Sequence, residues 1–206
     1  YQEEFGRPIA NHGITLVPGD CVYVDLNADG EINSNDATRD IGYTDMPEYT
    51  AGLNTGFSWK NFDFSMQWTG AWNVDRMLDE FRRPLGDTNE KGLLLYQYDT
   101  TWRSSADTFT AKFPRTSSLH ASNNYAGSDL YLINASYLRL KSVEIGYNFN
   151  FPFMKKLKMD NCRLYVNGYN LITITGFKWG DPESRQSSRP NYPLTRVFNI
   201  GLKLGF

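Results

Sequence analysis

VFNIGLKLGF, residues 197–206, alternates without a slip. Phe198, Ile200, Leu202, Leu204 and Phe206 share one parity, and Val197, Asn199, Gly201, Lys203 and Gly205 share the other. Period two places successive side chains on opposite faces, so the stretch predicts a β-strand. In a water-soluble domain, so apolar a strand ending on a bare aromatic would fray unless a second sheet covered it. In a membrane barrel the same strand needs no cover: the apolar face meets hydrocarbon, the polar face meets a wet or plugged lumen, and the terminal aromatic lies at the interface.

Working back along the chain, the same alternation recurs. Tyr49, Ala51, Leu53, Thr55, Phe57 and Trp59 alternate with Thr50, Gly52, Asn54, Gly56 and Ser58. After Lys60 and Asn61 it resumes with Phe62, Phe64, Met66, Trp68 and Gly70 against Asp63, Ser65, Gln67 and Thr69, which predicts a tight hairpin. SYLRLKSVEIGYNFNFP, from Ser136, changes phase: Leu138 and Leu140 have one parity, Val143, Ile145 and Tyr147 the other. A β-bulge near Ser142 reconciles them. CRLYVNGYNLITITG, from Cys162, predicts a further strand with Leu164, Val166, Ile172 and Ile174 on one side.

The connections fall into two kinds. Lys60 to Asn61 and Phe151 to Asn161 are short; Asp25 to Pro47, Trp72 to Leu130 and Phe177 to Arg196 are long. Long structureless connections count against a compact soluble domain but belong on one rim of an outer-membrane barrel. With short turns on the periplasmic side, the five strands run down, up, down, up, down, and Phe206 ends in the periplasm. The expected fold is therefore all-β, with antiparallel strands forming the C-terminal part of a large transmembrane β-barrel and long extracellular loops. Residues 1–206 are read as one segment of that barrel domain.

Composition agrees with this reading. The chain has 206 residues, a net charge of -2 and a pI near 5.7, which gives no basic patch for nucleic acid. Mean hydropathy is -0.52, and no run of about 18 apolar residues predicts a transmembrane helix. Alternating strands average to a polar hydropathy, so a barrel stays compatible. The 13 Tyr, 13 Phe and 5 Trp suit interfacial belts, a sugar-binding surface or an ordinary β core. Tyr1 is preceded by neither Met nor a signal peptide, from which we expect the chain to begin partway through a longer product.

One stretch carries a metal-ligand pattern. In GDCVYVDLNADGEINSNDA, Asp25, Asn27 and Asp29 are two apart, Gly30 follows, Glu31 offers its backbone carbonyl, and Asp36 closes the set at the twelfth position. This is the oxygen order of an EF-hand-type calcium loop, in which six to eight oxygens converge at about 2.3–2.6 Å on a hard cation. Position 12 is Asp36 rather than Glu, and the preceding CVYVD reads as extended rather than helical. A structural Ca2+ outside an EF-hand is one reading; a string of Asx turns held by its own backbone hydrogen bonds is the other.

No catalytic constellation is legible, and no enzyme is expected. His12 and His120 read as loop residues without a nucleophile motif, and no phosphate loop occurs. Cys21 and Cys162 have no metal spacing and are expected to be free thiols at opposite ends of the strands. Trp72, Trp102, Tyr125 and Trp179 could stack on sugar rings or simply pack the loops.

GDCVYVDLNADGEIN, then AGLNTGFSWKNFDFSMQWTGAW, SYLRLKSVEIGYNF, CRLYVNGYNLITIT and YPLTRVFNIGLKLGF in that order resemble the C-terminal end of SusC-like TonB-dependent outer-membrane transporters of Bacteroidetes. The resemblance covers nearly the whole chain from Gly19, and the closing Phe206 resembles the insertion signal of bacterial outer-membrane barrels. It implies a partner SusD-like surface lipoprotein over the extracellular mouth, energy delivered through TonB, and import of oligosaccharides or peptides. It also implies an extracellular Asp-rich loop at Asp25–Asp36 consistent with calcium. Plug, TonB-contacting segment and most of the barrel lie outside this sequence, and about five strands cannot close a barrel of about 22. Two rivals remain: a secreted, calcium-stabilised all-β carbohydrate-binding module, and a passive porin or adhesin barrel. The module would bury Phe64, Met66, Trp68, Leu202 and Leu204 under a second sheet; the barrel would leave them open to lipid.

Overall fold

The computed structural model describes residues 8–78, 95–150, 152, 159–178, 180–184 and 194–206. Five long strands form one antiparallel sheet: β1 (Tyr49–Trp59), β2 (Phe62–Trp72), β5 (Tyr137–Phe149), β6 (Asn161–Thr175) and β7 (Val197–Gly205), in the order β1-β2-β5-β6-β7. Two three-residue strands, β3 (Asp75–Met77) and β4 (Leu132–Asn134), make a separate pair.

Register is what makes this sheet amphipathic. Phe57 pairs with Phe64, Phe64 with Ile145, Ile145 with Val166, and Val166 with Ile200, so one apolar row crosses all five strands. One residue along each strand, Gly56, Ser65, Glu144, Asn167 and Asn199 form the matching polar row. A slip of one residue in any strand would exchange its two faces. The predicted bulge is present: Gln67 pairs with Ser142 and Trp68 with Leu140, leaving Lys141 as the extra residue. It rotates Leu138 and Leu140 onto the face of Val143 and Ile145. Against β6 the pairs are Leu140 with Ile172 and Ser142 with Tyr169, so Asn170 and Leu171 face the bulge and β6 keeps its parity.

The chain crosses from β1 to β2 through Lys60 and Asn61, with Lys60 at φ 54°. Asn61 closes this end, accepting from Asn148 N–H at 2.8 Å and donating from its amide to the Asn148 carbonyl at 2.7 Å. The long connections leave from the other end, where Ala71 pairs with Tyr137 and Tyr137 with Thr175. The predicted division into a short-turn rim and a long-loop rim is therefore found.

The chain divides into two compact units. One comprises Tyr43–Arg76, Asn134–Arg185 and Asn191–Phe206 and holds the five-stranded sheet. Its protein core is small and lies at the long-loop end, with Ala71, Val74, Ala135, Leu140 and Phe177 buried. There Asp75 accepts from Tyr43 N–H at 2.8 Å and from the Asn134 amide at 3.1 Å. The other unit includes Tyr1–Gly42 and Met77–Ile133. The sequence reads Trp72 to Leu130 as patternless, with only a short helix or strand at Leu93 to Tyr98. The structure has a helix there, α1 (Leu95–Thr100), followed by a short α2 (Ala121–Asn124) and two 3-10 turns. Leu78, Gln97, Thr101, Phe113, Asn124 and Tyr131 are buried in this unit. Tyr131 stacks on Phe113 with centroids 6.1 Å apart and donates its hydroxyl to the Asn124 carbonyl at 2.7 Å. The RRPLGDTNEKG stretch lies outside the described residues.

Candidate functional site

Among the described residues, none forms a layer over the apolar face of the sheet. Phe198 is 72% and Ile200 79% exposed; Leu53, Phe57, Trp59, Leu164, Val166, Leu202 and Leu204 are also open, and Phe64, Met66 and Trp68 are half-buried among their neighbours. A contiguous apolar surface across five strands far exceeds what a soluble monomer leaves in water. Aromatic residues bracket it. Trp59, Phe62, Tyr147 and Phe149 gather at the short-turn end, with Phe62 and Tyr147 edge-to-face at 6.3 Å and Tyr147 and Phe149 at 5.0 Å. Tyr49 and Trp72 pair at the other end, where the Trp72 ring lies over Gly70. Tyr49 and Trp59 are the ends of β1. At ~3.3 Å per residue and a tilt of ~40° their separation is ~25 Å along a barrel axis, the height of an outer-membrane apolar band.

The opposite face is polar and internally bonded. Arg163 on β6 pairs with Asp63 on β2 and donates to Glu144 on β5 at 2.8 Å. The Asn148 amide donates to Asp63 at 3.2 Å, Asn167 to Glu144 at 3.2 Å, and Asn199 to Asn167 at 2.9 Å. One hydrogen-bonded chain thus runs from β2 to β7, as a hydrated lumenal wall requires of charged groups on a sheet.

In the loop unit, Asp20 is the hub. Its side chain is 1% exposed and accepts from Val17 N–H at 2.9 Å, His120 Nδ1 at 2.6 Å, Arg115 Nε at 2.7 Å and the Asn124 amide at 2.9 Å. Burial pushes the Asp20 carboxyl up, but these four donors outweigh it and bring the group down to about 2. Asn124 also accepts from Cys21 N–H at 2.9 Å, and Asn123 bonds the Cys21 carbonyl at 2.9 Å. His12 is bonded as well, its Nδ1 to the Ala10 carbonyl at 2.7 Å and its Nε2 to Tyr23 N–H at 2.9 Å. Both histidines lie in loops, as their sequence context suggests, and both are hydrogen-bonded there. No spacing rule could have found the Asp20 cluster, because its partners lie about a hundred residues apart.

The Asp25–Asp36 stretch is an Asx-rich loop. Asp25 accepts from Ala28 N–H at 2.6 Å and Gly30 N–H at 2.7 Å, Asp29 from Glu31 N–H at 2.8 Å, and Asp36 from Leu26 and Asn33 N–H, both at 2.9 Å. The Asn27 carbonyl oxygen accepts from Asp29 N–H at 3.0 Å and its amide donates to Asp29 at 2.8 Å. Backbone donors, chiefly Asn33 N–H, hold the Asp36 carboxyl below the usual carboxylate range. Gly30 sits at φ 88° with nothing within 4 Å of a Cβ, so the turn needs glycine for its dihedral and not for space. The oxygens suit a hard cation in type, but they are engaged with the loop's own N–H groups. Among the described residues no group of three or more His, Cys, Asp or Glu is placed to hold a metal ion. As it stands, the loop is held by its own side-chain to backbone bonds.

Of the aromatics proposed for sugar stacking, Trp72 ends β2 and Trp102 packs on the loop backbone, its ring standing where a Cβ on Gly19 would be. Tyr125 is half-buried, and burial pushes its hydroxyl up to about 12. Trp179 lies outside the described residues. Cys21 and Cys162 are both free thiols, and burial pushes the Cys21 thiol up to about 11.

No protein-family model matches the chain. TonB-dependent receptor P3 of Formosa agariphila is 30% identical over 206 residues, covering 92% of this chain and 19% of that protein. TonB-dependent receptor SusC of Bacteroides thetaiotaomicron is 28% identical over 206 residues, covering 99% and 18%. Over nearly its whole length the chain is similar to TonB-dependent receptors, SusC among them. It spans about a fifth of the length of the curated TonB-dependent receptors it matches. The RagAB peptide transporter superimposes with a TM-score of 0.67 at 21% identity, over 86% of this chain and 19% of that one. The RagAB peptide importer in its closed-closed state gives 0.63 at 23%, over 92% and 21%. The shared fold makes the five-stranded sheet part of a transmembrane β-barrel wall. The curated relatives are named as TonB-dependent receptors and the solved neighbours as a transporter and an importer, none of them for catalysis.

Proposed function

We propose that this chain is part of an outer-membrane importer that takes up oligosaccharides or peptides with energy delivered through TonB. The observation that carries the reading is the uncovered apolar face, bracketed by aromatics at the spacing of a bilayer core, on a sheet shared with RagAB. The named activity of RagAB favours peptides as cargo, and SusC stands beside it as a receptor of the same kind. The strands cross the outer membrane, the short turns face the periplasm, and the long connections face outward, where a SusD-like lipoprotein closes over the mouth. The chain has no catalytic role. Calcium at Asp25, Asn27, Asp29, Glu31 and Asp36 is supported by donor order alone.

The test uses the full-length receptor that contains this segment. Import of labelled oligosaccharides and peptides is measured with and without TonB, and the lipoprotein that co-purifies is quantified for the receptor and for a variant lacking residues 105–127. TonB-dependent import, with lipoprotein capture reduced severalfold by the deletion and heat-modifiable migration kept, is the expected outcome. TonB-independent flux would favour the porin or adhesin reading, and unchanged capture would remove these loops from the lid contact. A chelator arm settles the cation: calcium is expected to restore a complex that EGTA weakens in the parent and not in Asp25→Ala, whereas no response in either leaves a self-held Asx loop.

A further inference from the structure

Arg139, on the polar side of β5, is among the most buried residues of the described chain, at 1% exposure. A guanidinium so removed from water is costly unless each of its donors is used. Its Nε donates to Thr173 Oγ1 on β6 at 3.0 Å. Nη2 reaches both oxygens of Asp181, at 2.8 and 2.9 Å, and Nη1 donates to Glu183 at 2.7 Å. The Tyr137 ring centroid lies 5.3 Å from the guanidinium carbon. Lys141, the residue that the bulge sets out of register, adds a bond from Nζ to Glu183 at 3.2 Å. Two cations thus meet two carboxylates, and the cluster is neutral.

The carboxylates come from a short ordered segment beyond the end of β6. Glu183 N–H donates to Asp181 Oδ1 at 2.8 Å, Ser184 N–H donates to the Asp181 carbonyl at 3.2 Å, and Pro182 between them is buried. Thr175, the last residue of β6, donates its hydroxyl to the Ser136 carbonyl at 2.8 Å, and Phe177 is buried. The chain therefore turns back over the polar side of the sheet instead of continuing away from it. A fork of charge-assisted hydrogen bonds to a planar cation fixes direction as well as distance.

We propose that Arg139 is a positioning residue that fastens residues 180–184 as a strap across the polar side of β5 and β6. On the importer reading, on which the word lumenal rests, the strap is a fixed part of the lumenal wall at the long-loop rim and sets how close cargo comes to that wall. Lys141 and Glu183 are its outer, more exposed fastening; Arg139 and Asp181 are its inner one.

The experiment follows the strap in the full-length receptor with Cys21 and Cys162 replaced by Ser and one reporter thiol at Ser184→Cys. Cells are treated with a membrane-impermeant maleimide, and labelling rates are compared with and without Asp181→Asn/Glu183→Gln. About a tenfold faster reaction is expected when both carboxylates are neutral. Asp181→Glu should keep the slow rate, and a control thiol at Leu119→Cys should react equally in all backgrounds. Equal Ser184→Cys rates in parent and double variant overturn the strap. If the double variant does not assemble, Glu183→Gln alone is read, with a rise of about threefold expected and no rise counting against the proposal. If the parent is soluble and never shows heat-modifiable migration, the importer reading falls, and the same contrast in the soluble protein still decides the strap.

Discussion

At the scale of single residues, Asp20 determines how the loop unit responds to acid. Its carboxyl lies at about 2 when folded, against about 3.9 for an unperturbed Asp. A carboxyl held below its unfolded value contributes stability that is complete above the unfolded pKa and is lost as pH falls through the folded one. The window is therefore about pH 4 down to about pH 2. Pepsin digestion across that range should show cleavage within residues 95–133 rising steeply for the parent receptor. Asp20→Asn removes the charge but keeps the shape, and should digest readily already at pH 4, with a loss of about 2 kcal/mol from the charge-assisted bonds to Arg115 and His120. Equal digestion of parent and variant at every pH would show that Asp20 does not hold the unit together. The Asp25–Asp36 loop shows why ligand spacing alone is ambiguous: the Asx residues that can turn oxygens toward a cation can equally turn them toward backbone N–H groups, as Asp25 does with Ala28 and Gly30.

At the scale of elements, what was legible in the sequence was what has a period. β1, β2, β5, β6 and β7 stand where alternation places them, and the phase change at Leu140 and Val143 became the bulge at Lys141. The loop unit was not legible, because its core is assembled from Leu78, Gln97, Phe113, Asn124 and Tyr131, which follow no period and are joined by polar bonds as much as by apolar packing. The Arg139 cluster was hidden for the same reason: Asp181 and Glu183 lie in what reads as a polar loop. The periodic part makes a sharp prediction about solvent. Phe198 pairs with Gly168 in the row of Thr55, Met66 and Val143, midway between the aromatic ends of the sheet. Phe198→Lys should cost ~2–4 kcal/mol in a bilayer, whereas Asn199→Lys on the polar face should cost less than ~1 kcal/mol. Urea unfolding of the receptor in liposomes measures both, and equal costs would mean that the apolar face does not meet lipid.

At the scale of the whole chain, each unit has a core of its own, yet the sheet is incomplete as a surface. β1 and β7 lie at its two margins, and neither has a further strand partner among the described residues. Among the described residues each margin offers an edge of strand N–H and C=O groups without a neighbouring strand, and between the margins lies an apolar face that none of these residues covers. A soluble sheet commonly limits such hazards with short or charged edge strands; β1 has eleven residues and carries no charge. Five strands fall short of the eight that the smallest membrane barrels need, so neither closure nor lipid contact can be satisfied by this sheet alone. These 206 residues expressed by themselves should therefore give no monodisperse monomer in detergent-free buffer, and no heat-modifiable form after refolding into detergent. The full-length receptor should give that form. Light scattering and unheated gel migration distinguish the cases: a stable, β-rich 23.6 kDa monomer in plain buffer would require the apolar face to be covered from within the chain, and the barrel-wall reading would fail with it.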